Sequence, residues 1–162
     1  MKMNACFSSI CAVAFLFCAA ALPAAARADA DACKLLTPAE VGAAVGVPVA
    51  AGEHVTPTFL KTCTWHASGS SNVKFVTLYL QTAAAYDGGK QMANQMAAAS
   101  KGNAVKSASV GDDGYFFVAG TQVGLLVKKG GASFKVAVYA TLPVAKKEAM
   151  ELTLAKKVLP KL

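Results

Sequence analysis

The stretch GDDGYFFVAGTQVGLLVKKGGASFKVAVYAT, Gly111 to Thr141, holds three apolar runs separated by two glycine-containing turns. In its last two runs the side chains alternate. Val123, Leu125 and Val127 point one way, and Phe134, Val136 and Val138 are their counterparts. A period of two between Gly-rich breaks marks an antiparallel β-meander with one buried face. The rest of the chain is expected to supply the helices and further strands that cover this sheet.

Immediately upstream, Val105 to Val110 reads as a short strand leading into the meander. Ala83 to Ser100 is rich in Ala and Met and lacks β-branched residues, so propensity makes it helical. Asp87-Gly88-Gly89 weakens its first part, placing the firm start near Gly88, and Met92, Met96 and Ala99 form its expected apolar stripe. Val73 to Gln81 (VKFVTLYLQ) is the clearest strand of the N-terminal half. Val76, Leu78 and Leu80 lie on one face and Phe75, Thr77 and Tyr79 on the other, so it belongs inside the sheet. Thr62 to Ala67 is a strand joined to it by a turn over Ser68 to Asn72. Val47 to Lys61, broken by Pro48, Gly52 and Pro57, reads as a weak strand and a surface loop.

Further upstream, Thr37-Pro38-Ala39-Glu40 is a helix start. Thr37 is the N-cap, Pro38 the first helical residue and Glu40 the reciprocal partner of a capping box. That helix is brief, with Leu36, Val41 and Val45 on its apolar side, and it ends near Gly42 to Gly46. At the other end Pro143 closes the sheet. Val144 to Leu159 follows as an amphipathic helix with Ala145, Leu152, Ala155 and Leu159 inward and Lys146, Lys157 and Lys161 opposite. The order predicts an α+β fold: an antiparallel sheet of about five to six strands with two to three helices packed mainly on one face.

The hydrophobic fraction of 55% is inflated by the N-terminus. Lys2, the uncharged run Phe7 to Leu22 and the small-x-small pattern Ala26-Arg27-Ala28 predict a secretory signal peptide over residues 1–28. One domain, residues 29–162, would remain after cleavage. No later segment approaches the roughly 20 apolar residues of a membrane span, so a soluble periplasmic or secreted protein is expected. The mature part has 14 Lys and no Arg against 9 acids, a net +5. The absence of arginine, whose planar fork suits phosphate, argues against nucleic-acid recognition.

Three of the five cysteines lie in the leader, leaving Cys33 and Cys63. An even pair in an exported chain predicts one disulfide. The acidic Asp31 just before Cys33 argues against lipid attachment there. Cys63-x-x-His66, with Cys33 and His54, is formally a Cys₂His₂ set for zinc. On a strand, however, Cys63 and His66 face opposite ways, so no metal or cofactor site is expected from them. Asp112-Asp113 sits in ordinary turn chemistry, GDDG. His54 and His66 are the only histidines, and no GxSxG nucleophile motif accompanies them. Met92 and Met96 read as core. No catalytic residue is singled out.

Cys33-x-Leu35-Leu36-Thr37-x-x-Glu40-Val41, Gly46, Cys63-Thr64-Trp65, Gly111-Asp112-x-x-Tyr115 and the closing Leu-rich helix resemble a family of small exported bacterial domains of unknown function, many of them lipoproteins. The resemblance spans Cys33 to Leu162 and implies an α+β domain with a Cys–Cys bridge. It supplies no activity and no functional residues. The expected function is a non-catalytic binding or accessory domain whose partner is a protein or small molecule. The alternatives are a small exported hydrolase or other enzyme, and an inhibitor-type periplasmic protein. A binding module should display an exposed apolar or aromatic patch, and an enzyme a pocket with two or more convergent polar groups and shifted pKa values.

Overall fold

A computed structural model describes residues 30–69 and 72–162; the expected leader lies outside them, as does the middle of the expected 68–72 turn. After a single 3-10 turn at Ala32–Lys34, the elements run α1 (Pro38–Val45), β1 (Glu53–His54), β2 (Thr62–His66), β3 (Val73–Thr82), α2 (Ala83–Ala99), β4 (Asn103–Ser107), β5 (Asp113–Ala119), β6 (Gln122–Lys129), β7 (Ala132–Ala140) and α3 (Val144–Val158). The strands form one antiparallel sheet in the order β1-β2-β3-β7-β6-β5-β4. The fold is α+β, with seven strands instead of five or six. The extra strand is only two residues long, Glu53 and His54 pairing with Thr64 and Cys63 at the sheet edge.

The meander sets the register. Leu125 lies opposite Val136 and Val127 opposite Phe134, and all four are fully buried. β7 then pairs along its length with β3, so the N-terminal strands join the meander through its last strand. On the main core face, Val76, Leu78 and Leu80 of β3 and Cys63 and Trp65 of β2 meet Val41 and Val45 of α1 and Leu154, Ala155 and Val158 of α3. Both halves of the α1 capping box form: Glu40 N–H donates to Thr37 Oγ1 at 3.2 Å, and Thr37 N–H donates to Glu40 Oε2 at 2.8 Å. Gly46 stops the helix in the left-handed region at φ 75°, where glycine has no Cβ penalty. Eight residues do not hold a helix in water. Burial of Leu36, Val41 and Val45, roughly 1.5–3 kcal/mol each, fixes it to the sheet.

Two helices depart from expectation in which side they bury. α2 starts at Ala83, not near Gly88, because Thr82 caps it (Ala85 N–H to Thr82 Oγ1, 3.2 Å) and Tyr86 anchors its first turn. Its buried residues are Tyr86 and Ala93, while Met92 and Met96 are 61% and 44% exposed. The methionines are therefore not core. The small residues Gly89 and Ala93 let the helix lie close to the sheet, and Tyr86 and Tyr115 fill the space between, their rings edge-on at 5.3 Å. α3 buries Lys147, Glu151, Leu154, Ala155 and Val158, whereas Ala145 is exposed. Its inward stripe keeps the helical period only if the two charged residues are counted in it.

α1 and α3 cover the main core face, and α2 covers part of the other, over Val105, Tyr115, Phe117 and Leu126. Among the described residues no helix is long and apolar enough to cross a membrane.

Candidate functional site

Alternation places Thr64 and His66 of β2, Phe75, Thr77 and Tyr79 of β3, and Lys135 and Tyr139 of β7 on the face opposite the main core. α2 packs over β4, β5 and β6 on that face and leaves this half open. Phe75 and Tyr139 stack across the β3–β7 pair with centroids 4.3 Å apart and planes 22° apart. Neighbouring strands are ~4.8 Å apart, so rings stacked at that distance stand on edge. They present to solvent the ring margins, which carry the positive part of the aromatic quadrupole. His66 leans on Phe75 at 5.7 Å. Four residues along β3, Tyr79 stacks with Phe59 from the loop before β2 at 6.4 Å, and these two residues are 37% and 43% exposed.

Lys135 lies directly opposite Tyr79 in the β3–β7 register. Its stem crosses Gly124, where an added Cβ would meet Lys135 Cε at 2.7 Å. A side chain at position 124 would displace the lysine from the sheet surface. The open half therefore combines four aromatic rings, an imidazole, an ammonium and the hydroxyls of Thr64 and Thr77.

The covered half holds a different set. Lys90 reaches Asp113 Oδ2 at 2.7 Å and Lys128 reaches Asp87 Oδ1 at 2.6 Å. Lys128 also sits 5.3 Å from the Tyr86 ring centre, and Lys90 sits 5.7 Å from that of Tyr115. Burial, helped by the Asp113 carboxylate, pushes the Tyr86 hydroxyl well above the usual tyrosine range, and it raises Tyr115 as well. The Lys90 ammonium holds Asp113 below its ordinary value. Phenols kept neutral beside paired carboxylates make a clamp between α2 and the sheet.

Cys33 and Cys63 are joined, with Cα atoms 5.0 Å apart. Cys63 is fully buried on the core face, while His66 is exposed on the opposite face, so the two do not converge. His54, opposite Cys63 in the β1–β2 register, comes within 3.6 Å of Cys33 Sγ through its Nδ1. Asp31 joins them, with Oδ1 at 3.2 Å from His54 Nε2. Gly52 is pressed against this corner: a Cβ there would meet Cys63 Sγ at 2.6 Å and Trp65 Nε1 at 2.7 Å. In the GDDG turn, Asp112 Oδ2 accepts the Gly130 N–H at 2.7 Å and Asp113 binds Lys90. Both aspartates are thus engaged structurally.

A depression along α1, lined by Pro38, Ala39, Gly42, Ala43 and Gly46–Val49, carries no titratable side chain. A second, beside Ala43–Val47, Leu142 and Met150, carries only Lys146. Comparison with family models, curated proteins and solved structures finds no match to this chain.

Sequence reasoning did not single out Phe59, Asp31 or the buried pair Lys147 and Glu151. Phe59 sits in an irregular loop whose path only the fold supplies. The i, i+4 spacing of Lys147 and Glu151 in phase with Leu154, Ala155 and Val158 was the available signal for the pair.

Proposed function

We propose that this protein is an exported, non-catalytic binding or accessory domain that engages its partner through the open half of its sheet. The observation that carries the reading is the aromatic strip formed by exposed Phe59 and Tyr79 and half-buried Phe75 and Tyr139, beside the part of the sheet that α2 covers. Large apolar side chains gathered on one solvent-facing surface are otherwise unfavourable, and such patches mark interaction sites. The ring edges, Lys135 and His66 favour a partner that offers carboxylates or carbonyl oxygens beside apolar groups. An inhibitor-type role would use the same surface. The resemblance to small exported bacterial domains fits export and a bridged α+β fold, and leaves the ligand open.

The test is a photo-crosslinking side chain placed at Thr77, between the two aromatic groups, with exposed Thr153 on α3 as the control position. The expected result is a discrete crosslinked partner from Thr77 alone, lost when Phe75→Ser and Tyr139→Ser are combined. A partner captured equally from both positions, or one unaffected by the aromatic replacements, overturns the reading. Turnover of an ester, peptide or glycoside substrate that His66→Ala abolishes would favour a hydrolase instead.

A further inference from the structure

The corner where the Ala32–Lys34 turn meets the edge strand β1 gathers Asp31, Cys33, His54 and Cys63. Asp31 is fixed by its Oδ1, which accepts the Cys33 N–H at 2.9 Å. The turn itself is held to the loop before β2 by a bond from Ala32 N–H to Leu60 O at 2.8 Å. His54 Nδ1 lies 3.0 Å from the Thr62 carbonyl oxygen. A carbonyl only accepts, so Nδ1 carries the proton of this bond. Nε2 then faces Asp31 Oδ1 at 3.2 Å. A ring-nitrogen lone pair and a carboxylate oxygen at that distance repel unless a cation lies between them: a proton or a metal ion.

The arrangement matches what a metal site needs. Histidine ligands characteristically donate their other ring N–H to a carbonyl or carboxylate, as Nδ1 does here. Around a tetrahedral zinc with bonds of ~2.0–2.3 Å, neighbouring donor atoms stand about 3.3–3.8 Å apart. The Nε2–Oδ1 separation is close to one such edge, and one donor atom each from Asp31, Cys33 and His54 lies within 4.8 Å of the others, Cys33 Sγ meeting the ring at Nδ1, 3.6 Å away; Cys63 Sγ joins this group through its bond to Cys33. Asp31 and His54 retain 14% and 20% side-chain exposure, so ions reach them from solvent. In the bridged protein neither sulfur is a thiolate, which leaves two protein donors.

We propose that reduction of the Cys33–Cys63 bridge turns this corner into a binding site for a zinc-like divalent ion, held by Asp31, His54 and the two cysteine thiolates. Two thiolates, an imidazole and a carboxylate suit zinc or cobalt and disfavour calcium and magnesium, which prefer all-oxygen shells. A water-soluble phosphine supplies the reduction. Its phosphorus takes the oxygen of one water and becomes a phosphine oxide. The two electrons cleave the S–S bond and the two protons of that water end on the sulfurs. The metal then displaces those two protons as the thiolates bind it. The set shares three residues with the Cys₂His₂ reading of the sequence, but Asp31 takes the place of His66, which faces away.

The experiment titrates Co²⁺ into chain 29–162, bridged or phosphine-reduced, and reads tetrahedral d–d absorption and thiolate-to-cobalt charge transfer. One equivalent should bind to the reduced protein only, with the native circular dichroism kept, and Zn²⁺ should displace it. His54→Ala and Asp31→Ala, each purified with the bridge formed and then reduced, should weaken binding by at least the 10–100-fold typical of losing a group that only supports a ligand. His66→Ala should leave it unchanged. No binding to the reduced chain, equal binding to the bridged chain, or insensitivity to His54→Ala overturns the proposal. So does binding that His66→Ala weakens as much as His54→Ala, since that is chelation by an unfolded chain.

Discussion

The Glu151 side chain accepts the backbone N–H of Val138 at 2.9 Å, a bond from the middle of α3 to the middle of the sheet. It exists because β6 and β7 part company. Their pairing runs from Lys129–Ala132 to Leu125–Val136 and stops, while β7 continues against β3 as far as Ala140. Beyond that point β6 continues to Gln122 paired with β5 alone, and the backbone groups of β7 on that side lose their ladder partner. Glu151 takes the Val138 N–H, and Lys147 one turn earlier donates to the carbonyls of Thr121 and Ala140, spanning the gap. Two fully buried charged residues thus replace missing ladder bonds.

The pH dependence of stability follows from this. Burial pushes the Glu151 carboxyl up to about 8, against the Val138 bond and the Lys147 and Lys135 charges that lower it; Glu148 adds to the rise. The folded protein therefore binds a proton that the unfolded chain releases near pH 4.5. Stability from this group is fully present below that pH and is lost as pH rises through about 8. Glu151→Gln mimics the protonated form, so urea denaturation should show a flatter profile between pH 5 and 9 and a variant more stable than wild type at pH 9. An unchanged slope in the variant would refute the assignment. Below about pH 5 Glu151→Ala should be less stable than wild type, by ~1–3 kcal/mol for the orphaned Val138 N–H alone, and its profile should also flatten because the titrating carboxyl is gone.

Position 111 and position 124 should respond unequally to alanine. Gly111 has φ 70°, and a Cβ there would meet the Lys128 carbonyl oxygen at 2.6 Å and Val127 Cγ1 at 2.6 Å. Left-handed backbone costs a non-glycine residue ~1–2 kcal/mol, and rigid overpacking typically adds 1–3 kcal/mol. Gly111→Ala should therefore cost roughly 2–5 kcal/mol in thermal or urea unfolding. At Gly124 the obstacle is the flexible end of Lys135, so Gly124→Ala should cost well under half as much. Equal losses at both positions would contradict this account.

The meander was legible because its signal is local: a period of two in Val123–Val127 and Phe134–Val138, with glycines between. The α1 boundary was legible for the same reason, since Thr37, Pro38 and Glu40 state their own roles. The inward sides of α2 and α3 were not. There the decisive neighbours are remote in sequence: Tyr115 selects the Tyr86–Ala93 side of α2, and the β6–β7 split draws Lys147 and Glu151 inward. The candidate surface was half legible. Phe75, Thr77 and Tyr79 were assigned to one face, but whether a helix covers that face depends on where α2 packs.

The aromatic stack can be measured without knowing any ligand. Phe75 and Tyr139 touch face to face on adjacent strands, and such pairs contribute ~0.5–1.5 kcal/mol beyond the area they bury. A double-mutant cycle over Phe75→Ala and Tyr139→Ala should return a coupling of that size in urea unfolding. The single variants should keep the native circular dichroism. A coupling near zero would mean that the rings do not meet in solution.

The bridge between Cys33 and Cys63 ties the 3-10 turn that precedes α1 to a buried residue of β2. It closes a loop of 30 residues, for which chain entropy gives about 3–4 kcal/mol of stabilisation. That is a large share of the ~5–15 kcal/mol typical of a domain. α1 lies within the closed loop and is too short to persist alone. Cys33→Ser should therefore lower the melting temperature by several degrees or more, with amides of α1 losing hydrogen-exchange protection before those of β3 and β7. In chain 29–162, alkylation in denaturant should modify no thiol until a reductant is added, and two thereafter. Two thiols reacting without reductant would refute the bridge. A confirmed bridge whose loss leaves melting unchanged would show that α1 is held by its packing on α3 and the sheet alone.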